Sequence, residues 1–495
     1  MVAKIKTFAF LGIDVVPIDV QVKISPGNPS FTIVGLPDKA VGESKERVRA
    51  AISSTGLSWP YQRITVNLAP ADLQKEGGHF DLAIALGIMV EIGVLPQHLV
   101  GNFFILGELA LDGRIAPVGG IISASIGANQ RNHGIICPAE NGREAAWAGD
   151  LEIIATPDIL TLINHLKGEQ ILARPETSRI TSTRKYPDLS DVNGQENAKR
   201  ALEIAAAGGH NLLMVGPPGT GKSMLAARLP GILPDCSLEE ILEINMIASV
   251  SGKLLDGHLI TAKPYREVHH SASMPAMVGG GVKAKPGEVS LAHNGVLFLD
   301  ELAEFPRQVL DSLRQPLESG NVSIARVNSH ITYPSDFQLV AAMNPCRCGF
   351  LGDATRECKK APNCGEEYKN KISGPLLDRI DLVIDVGMIN IFSDKNQPKG
   401  ESSKTVAARV LAARELQKKR QKKINAKIDG EILEKFCALD EMGQKIMQSF
   451  VTKSQSSMRG ITRVLRVART IADLEKSEII HPNHLFEAIS YRRKI

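Results

Sequence analysis

The stretch Asn211-Leu-Leu-Met-Val-Gly-Pro-Pro-Gly-Thr-Gly-Lys-Ser223 decides the fold, because it joins an apolar run to a glycine-rich loop. The run Asn211–Val215 is short and apolar, which predicts a buried strand. The loop matches the phosphate-loop pattern, in which a strand leads through glycines into a helix. Gly219 and Gly221 permit a tight turn whose N–H groups face inward, so amide dipoles and a helix amino terminus can hold a polyphosphate.

This loop predicts ATP and Mg²⁺ as cofactors. Lys222 is expected to reach the β- and γ-phosphates, and the Ser223 hydroxyl is expected to ligate Mg²⁺. The predicted nucleotide-binding residues are Gly216, Pro217, Pro218, Gly219, Thr220, Gly221, Lys222 and Ser223.

A second apolar run, Gly295-Val-Leu-Phe-Leu-Asp-Glu301, ends in two carboxylates, as a central strand beside a phosphate loop would. Asp300 is expected to hold the metal through its water shell, and Glu301 to polarise the attacking water. The alternative is a core strand whose acidic end faces solvent. The two motifs together favour an ATPase site.

Length and composition limit the classes of protein to which the chain can belong. Its 495 residues predict about three domains. The hydrophobic fraction of 43% and charged fraction of 23% predict folded rather than disordered domains. No apolar run reaches the length of a membrane span, and the amino terminus does not resemble a secretion signal. We therefore expect a cytoplasmic protein without a membrane partner.

The pattern along the chain predicts three folded parts and one linker. Residues 1–168 alternate short strands and helices, residues 169–191 are polar and irregular, and residues 192–400 follow the order of a parallel-sheet nucleotide fold. Residues 401–495 are helical throughout, with 20 Lys and Arg against 11 Asp and Glu. The elements predicted within the first part are strands at Ile33–Leu36 and Ile64–Leu68, helices at Asp38–Ser53 and Phe80–Val90, and a hairpin around Asp112-Gly113.

The chain resembles AAA+ ATPases, and more narrowly the Mg-chelatase-related ComM/YifB family of bacterial competence-linked helicases, essentially from end to end. The stretches that carry the resemblance are Asp191-Val-Asn-Gly-Gln195, His269-His-Ser-Ala-Ser273, Gly287-Glu-Val-Ser-Leu-Ala-His293, Met343-Asn-Pro-Cys346, Ser373-Gly-Pro-Leu-Leu-Asp-Arg-Ile-Asp381 and Met458-Arg-Gly-Ile-Thr-Arg463. The resemblance implies an α/β fold with an AAA+ P-loop ATPase core at 192–400. It further implies an α+β Lon-protease-like (ribosomal S5 domain 2-like) amino-terminal domain and an all-α lid.

The resemblance also assigns roles to three polar residues. Asn344 is similar to the sensor that contacts the γ-phosphate or its water; alternatively it is a turn-forming residue before Pro345. Arg379 is similar to an arginine finger acting across a subunit boundary, or else it pairs with Asp378 or Asp381.

Arg459 resembles a second sensor in the lid. The competing candidates for this role, which are otherwise ion-pair partners, are Arg463, Arg466 and Arg469. An arginine that acts in trans implies a ring, which in the family is a hexamer.

Two projections are expected to contact a polymer in the ring's channel. One lies in the long connection 224–295, near a glycine-rich stretch, and the other is a predicted hairpin at Asn321–Pro334. Lys283, Lys285 and Arg326 on these projections could hold DNA phosphates without sequence preference, or be solvated loop charges. His269 and His270 could brace the first projection.

Four of the seven cysteines, Cys346, Cys348, Cys358 and Cys364, lie close together in the sequence. Four thiolates could bind a structural Zn²⁺, although the spacing differs from paired C-x-x-C knuckles. The alternative is four reduced cysteines without a metal.

The stretch Gly107–Gly120 resembles the proteolytic domain of Lon-type proteases. Matching the family's catalytic serine and lysine places His79 and Ile122 at those positions. Because neither can serve, we expect a peptidase-inactive domain.

The sequence leaves three classes of function. The resemblance to the ComM/YifB family favours a hexameric ATP-dependent DNA translocase, or helicase, that promotes branch migration and heteroduplex extension during natural transformation. Its partners would be single-stranded, duplex or branched DNA and recombination proteins. The alternatives are a chelatase-type motor that remodels a protein partner and an ATP-dependent protease, which the absent catalytic pair disfavours.

Overall fold

The computed structural model describes residues 2–177, 186–254, 258–281, 284–325, 330–351, 360–388, 400–454 and 457–492. We call 2–177 the N-terminal region, the described parts of 186–388 the parallel-sheet region, and those of 400–492 the helical region. Within these ranges, no helix is both long enough and apolar enough to pass through a membrane.

The N-terminal region is built on one mixed sheet. Its strands are β1 (Ala3–Leu11), β2 (Asp14–Ser25), β3 (Ser30–Val34), β4 (Arg63–Ala69), β5 (Phe103–Ile105), β6 (Glu108–Leu109), β7 (Ile115–Ala116), β8 (Gly134–Pro138) and β9 (Ile153–Thr156). Seven of them are ordered β3-β4-β2-β1-β5-β8-β9, with β6 and β7 paired separately. Alternation along β4 buries Ile64, Val66 and Leu68 on one face, as a half-buried strand requires.

Helices cover this sheet. They are α1 (Lys39–Ser54), α2 (Asp81–Glu91), α3 (Gln97–Val100), α4 (Ile121–Asn129), α5 (Gly142–Ala145) and α6 (Ile159–Leu166). Helix α1 begins where the Asp38 side chain accepts a 2.7 Å hydrogen bond from the N–H of Val41. Val41, Val48 and Ile52 lie at helical spacing and are fully buried. Helix α2 is apolar on every side, and it packs between α1 and the β1–β2 hairpin.

The parallel-sheet region contains the predicted nucleotide motif. Its strands are β10 (Leu212–Val215), β11 (Tyr265–Val268), β12 (Gly279–Gly280), β13 (Lys285–Pro286), β14 (Val296–Leu299), β15 (Asn321–Ala325), β16 (His330–Pro334), β17 (Gln338–Met343) and β18 (Leu382–Asp385). The order β11-β14-β17-β10-β18 is parallel throughout. The loops after β10, β14 and β17 therefore leave the same edge of the sheet.

The remaining helices flank this sheet and form the helical region. They are α7 (Glu196–Gly208), α8 (Lys222–Ala226), α9 (Leu238–Val250), α10 (Met274–Val278), α11 (Glu288–Leu291), α12 (Arg307–Ser312), α13 (Arg314–Ser319), α14 (Asn363–Lys369), α15 (Gly374–Leu377), α16 (Ser403–Gln421), α17 (Gly430–Phe436), α18 (Glu441–Ser454), α19 (Met458–Leu474) and α20 (Pro482–Ser490). Helices α16 and α19 pack against α7, so the helical region shares one hydrophobic core with one face of the sheet.

Buried polar contacts join the N-terminal region to the parallel-sheet region. The N–H of Gly120 donates a 2.8 Å hydrogen bond to Ser249 Oγ in α9, and that hydroxyl donates to buried Glu144. Ile13, in the β1–β2 turn, packs against the apolar cluster of the parallel sheet. The sequence predicted residues 1–168 to be a self-contained unit. In the structure this unit contacts both α9 and the apolar cluster of the parallel-sheet region.

The predicted elements of the N-terminal region are present, with shifted ends, as β3, β4, α1 and α2. The hairpin predicted around Asp112-Gly113, with arms at Phe103–Ala110 and Arg114–Val118, is wrong in extent, since only β6 and β7 pair there. Residues Phe103–Ile105 instead join the main sheet between β1 and β8. These residues are buried on both faces of the sheet. Because such a run is apolar throughout, polar and apolar residues do not alternate along it, and the sequence does not indicate which strand it pairs with.

Candidate functional site

The phosphate loop connects β10 to α8, and its glycines serve two different purposes. Gly219 and Gly221 have φ values of +79° and +86°, in the left-handed region that favours glycine. A Cβ at either position would meet open space, so conformation is what requires glycine there. At Gly216, by contrast, a Cβ would collide with the carbonyl oxygen of Val386.

The loop forms one wall of a cleft of about 400 Å³. The cleft is lined by Pro218, Gly219, Thr220, Gly221, Lys222, Ser223, Met224, Asp300, Glu301, Met343 and Asn344. The structure therefore brings together the predicted loop lysine, the hydroxyl, both carboxylates and the amide, which come from three separate stretches of sequence.

Lys222 bridges the loop and the sensor candidate. Its Nζ donates hydrogen bonds of 2.8 Å to the carbonyl oxygens of Gly216 and Pro217, and lies 3.3 Å from Asn344 Oδ1. Burial lowers the pKa of Lys222, against the opposing effect of Asp300 and Glu301. The ammonium group is thus held inside the loop, between its carbonyl oxygens and Asn344.

Ser223 and Asp300 supply oxygen atoms suited to Mg²⁺. Ser223 Oγ donates a 2.7 Å hydrogen bond to Asp300 Oδ2, while Asp300 Oδ1 accepts one of 2.9 Å from the N–H of Glu301. Hydroxyl and carboxylate oxygens are the ligands that Mg²⁺ prefers, and it usually keeps several waters. These two residues therefore fit the ion implied by the loop.

Glu301 has a partner that the sequence analysis did not assign to it. Its φ of +52° is unusual for a residue other than glycine, and such strain occurs at functional sites. Its Oε2 atom lies 3.0 Å from His270 Nδ1. The sequence carried no signal for this pairing, which follows from strand register: Val268 pairs with Leu299, so the residues after β11 lie beside those after β14. His270, considered earlier as a brace for the insertion, joins it to the core through this contact and through an edge-to-face contact with Phe305.

Neither Arg379 nor Arg459 lines the cleft of this chain. Arg379 donates a 2.7 Å hydrogen bond to the carbonyl of Pro375 and forms an ion pair with Glu318. This pairing lowers the pKa of Glu318, with smaller contributions from the charges of Arg459 and Arg314.

The suggested pairing of Arg379 with Asp378 or Asp381 is wrong. Asp381 lies 3.3 Å from Arg463 Nε and 3.4 Å from His210 Nδ1, while Asp378 lies 3.9 Å from Arg492. The predicted partners are neighbours of Arg379 in the sequence, whereas the carboxylate that Arg379 contacts, Glu318, belongs to α13.

The three further arginines of α19 are engaged inside the protein. Arg463 pairs with Asp381, Arg466 donates a 2.7 Å hydrogen bond to the carbonyl of Ile428, and fully buried Arg469 pairs with Asp473 at 2.9 Å. These contacts match the ion-pair alternative better than a sensor role, and leave Arg459 as the exposed arginine at the start of α19.

One of the three DNA-contact candidates is described by the structure. Lys285 lies exposed in β13, which pairs with the glycine-rich β12. The predicted hairpin Asn321–Pro334 is present as β15 and β16. Lys283 and Arg326 lie outside the described residues.

The cysteine cluster gives no support for zinc. Cys346 and Cys348 have their Sγ atoms 3.1 Å apart, and Cys364 is buried, but Cys358 lies outside the described residues. Burial alone would raise the pKa of Cys346, yet hydrogen bonds from Cys348 and from the N–H groups of residues 349–351 lower it. The described ranges contain no group of three or more His, Cys, Asp or Glu side chains placed to hold a metal ion.

The positions matched to a protease's catalytic pair are both buried. His79 lies in the core, with Nε2 2.9 Å from the carbonyl oxygen of Phe8, and Ile122 packs with Ile241 and Leu259. Burial lowers the pKa of His79 to about 4, so the imidazole is neutral. A neutral buried imidazole and an aliphatic side chain provide no activated nucleophile.

Burial of His79 predicts acid sensitivity of the N-terminal region. Because the folded pKa lies below the unfolded value, the unfolded chain binds more protons, and stability falls as the pH drops from about 6.5 towards 4. This group should account for about 3 kcal/mol of that loss. Both tryptophans, Trp59 and Trp147, lie in this region, so urea unfolding followed by their fluorescence measures it.

The variant His79→Gln should flatten this pH dependence, since glutamine can still donate to Phe8 but does not titrate. Exposed His98→Gln should behave as the wild type. An unchanged pH dependence in His79→Gln would contradict the assignment.

Comparison with known families extends over most of the chain. Residues 188–393 match the model described as magnesium chelatase, subunit ChlI. Residues 20–141 match the model described as subunit ChlI of Mg-chelatase, and residues 400–492 match its C-terminal model. The magnesium-chelatase 38 kDa subunit of Rhodobacter capsulatus is 28% identical over 33% of this chain and 51% of its own length.

Two bacterial relatives are similar over nearly their whole length. The uncharacterized protein YifB of Escherichia coli is 45% identical over 99% of this chain and 96% of its own. The competence protein ComM of Haemophilus influenzae is 44% identical over 98% of this chain and 96% of its own. With all three Mg-chelatase models matched in order, the chain belongs to the ComM/YifB family of Mg-chelatase-like AAA+ ATPases.

Proposed function

We propose that the protein is an Mg-ATP-dependent DNA translocase that acts as a hexameric ring and promotes branch migration and heteroduplex extension during natural transformation. The observation that carries the proposal is that the predicted ATPase residues lie in two separate places on the chain. Lys222, Asp300 and Glu301 lie together in one cleft, whereas Arg379 and Arg459 lie elsewhere on the same chain. The name of the Haemophilus relative, a competence protein, supports the link to DNA uptake.

Hydrolysis in this cleft would use the side chains as follows. Lys222 offsets the charge of the β- and γ-phosphates, and Glu301 polarises the attacking water. Asn344, as an uncharged amide, orients that water or the γ-phosphate without competing for metal. Ser223 and Asp300 would hold Mg²⁺, which would supply positive charge against the phosphate oxygens. His270 holds the Glu301 carboxylate before nucleotide arrives.

A neighbouring subunit would complete this site. Arg379 forms an ion pair with Glu318 of its own chain, and a guanidinium offered to the next subunit's phosphate must leave that carboxylate. Arg459, which is exposed at the start of α19, would reach the same interface. We therefore place both arginines in trans, which requires a closed ring or filament.

The moving parts would be the two projections next to the cleft. The β15–β16 hairpin directly precedes β17, the strand that ends at Asn344. Lys285, Lys283 and Arg326 would contact the phosphates of single-stranded, duplex or branched DNA, and recombination proteins would act on the same intermediates.

A chelatase-type motor is the second candidate, because the three matched family models describe Mg-chelatase subunits. Such a motor would respond to a large protein partner rather than to DNA. A protease is disfavoured by buried His79 and Ile122.

ATP hydrolysis should be stimulated by DNA, and the cleft should account for it. We expect Lys222→Ala and Glu301→Gln each to lower turnover about 100-fold or more, since each removes a group that acts in the transition state. Glu301→Gln should still bind ATP. The measurement is phosphate release with and without single-stranded, duplex and branched DNA. Exposed Glu366→Gln is the control, and normal hydrolysis by Lys222→Ala would contradict the site.

Removal of Arg379 should separate binding from hydrolysis. We expect Arg379→Ala to bind nucleotide normally but to lose about 1,000-fold in turnover, as for other arginine fingers. Mixing it with Glu301→Gln subunits should restore part of the activity, because some interfaces then carry both functional groups. Exposed Arg307→Ala is the matched control. If mixing restores nothing, action in trans is wrong.

A further inference from the structure

A second cleft, of about 490 Å³, lies in the N-terminal region, away from the ATPase site. It is bounded by the start of β3, by one face of α1 and by the segment that leads into β4. Aromatic and basic side chains line it together: Phe31, Trp59, Tyr61, Lys45 and Arg49. No role in the ATPase cycle accounts for this combination.

The aromatic residues of the cleft differ in how far their rings are buried. The rings of Phe31 and Trp59 have centroids 5.5 Å apart at an angle of 42°, and both pack against the core of the N-terminal region. Tyr61 differs, because it is 80% exposed. Folding explains why Phe31 and Trp59 are aromatic, but it does not explain a large ring left in water at the rim of the cleft.

The two cations of the cleft lack partners in the described part of the chain. Lys45 and Arg49 lie one helical turn apart on α1, so their side chains share a face. Other basic residues of this helix are paired: Lys39 lies 3.8 Å from Glu43, and Arg47 lies 2.6 Å from buried Asp81. Lys45 and Arg49 are therefore available to an external anion, with Glu46 as the acidic residue of the lining.

We propose that this cleft binds single-stranded nucleic acid, with a base stacked on Tyr61 and Trp59 and the flanking phosphates held by Lys45 and Arg49. Stacking on aromatic rings accepts any base, and cations beside the rings follow the backbone, which is how sequence-independent strand binding works. A proline-rich peptide would also use aromatic side chains, but it gives unpaired cations nothing to bind.

The cleft lies apart from the contacts between the two regions. β3 is an edge strand of its sheet, whereas contacts with the parallel-sheet region are made by α4, α5 and the β1–β2 turn. The cleft is therefore formed by elements other than those that make these contacts. The inference rests on the proposed action on DNA and extends it, because it adds a second contact that requires no ATP.

The test uses the full-length chain without nucleotide, titrated with oligothymidylate. The variant Trp147→Phe leaves Trp59 as the only tryptophan, and its fluorescence should be quenched by a stacked base. In this background, Tyr61→Ala should weaken binding about tenfold, within the range for one stacked base. Tyr61→Phe should retain most of the affinity.

The salt dependence of binding affinity distinguishes the contribution of base stacking from that of the charged side chains. Lys45→Gln and Arg49→Gln should each lower the slope of log affinity against log salt by about 0.7, whereas Tyr61→Ala should leave the slope unchanged. Phe486→Ala, an exposed aromatic of α20, and Lys39→Gln, an exposed lysine of α1, are the matched controls and should bind as the wild type.

Three outcomes would overturn the inference. One is an unquenched Trp59 with wild-type affinity in all the cleft variants while DNA still stimulates ATP hydrolysis. Another is quenching by a proline-rich peptide but not by oligothymidylate. The third is a changed oligomeric state in Tyr61→Ala, which would make the cleft a subunit contact. Conversely, normal quenching of Trp59 without DNA-stimulated hydrolysis would overturn the proposed translocase and leave the binding site standing.

Discussion

The parallel pairing of β14, β17 and β10 is the constraint on which the ATPase site depends. Register places Leu299 beside Ala341, and Met343 beside Val215, so three chain segments end at one edge of the sheet. Each strand then delivers its polar group into the same cleft: the loop with Lys222, the Asp300-Glu301 pair, and Asn344. A shift in any of these strands would separate the groups that we propose act on a single phosphate.

The charged groups of the site each have a partner in the chain. Lys222 contacts its own loop and Asn344, Ser223 contacts Asp300, and His270 contacts Glu301. Binding of nucleotide would therefore replace these internal contacts with contacts to phosphate and metal. The site does not present a set of unpaired charges that is ready to receive the ligand. If nucleotide displaced the His270–Glu301 contact, as the proposed function implies, the insertion that carries His270 would lose one of its attachments to the core.

The N-terminal region buries both positions that were matched to a protease's catalytic pair, His79 and Ile122. The positions matched to a nucleophile and its base are filled by a neutral imidazole and an aliphatic side chain. The surface beside them contacts α9 through Gly120, Ser249 and Glu144. Burial raises the pKa of Glu144, so this contact is a polar junction within apolar packing. The region is thereby attached to an element inserted between the phosphate loop and the acidic strand.

The sequence by itself determined the nucleotide loop, the acidic strand, the sensor strand and the helical carboxyl-terminal part, because each depends on local pattern: glycines that permit a tight turn, apolar runs, and helical periodicity. It also determined the family, since its motifs occur in order along the chain.

Only the tertiary structure decided which charges meet. The partner of Arg379 is Glu318 rather than its sequence neighbours, the partner of Glu301 is His270, and Phe103–Ile105 joins the central sheet instead of a hairpin. These outcomes depend on strand order and helix packing, which bring together residues far apart in sequence. The aromatic and basic cleft of Tyr61 and Lys45 likewise exists only because β3, β4 and α1 fold against one another.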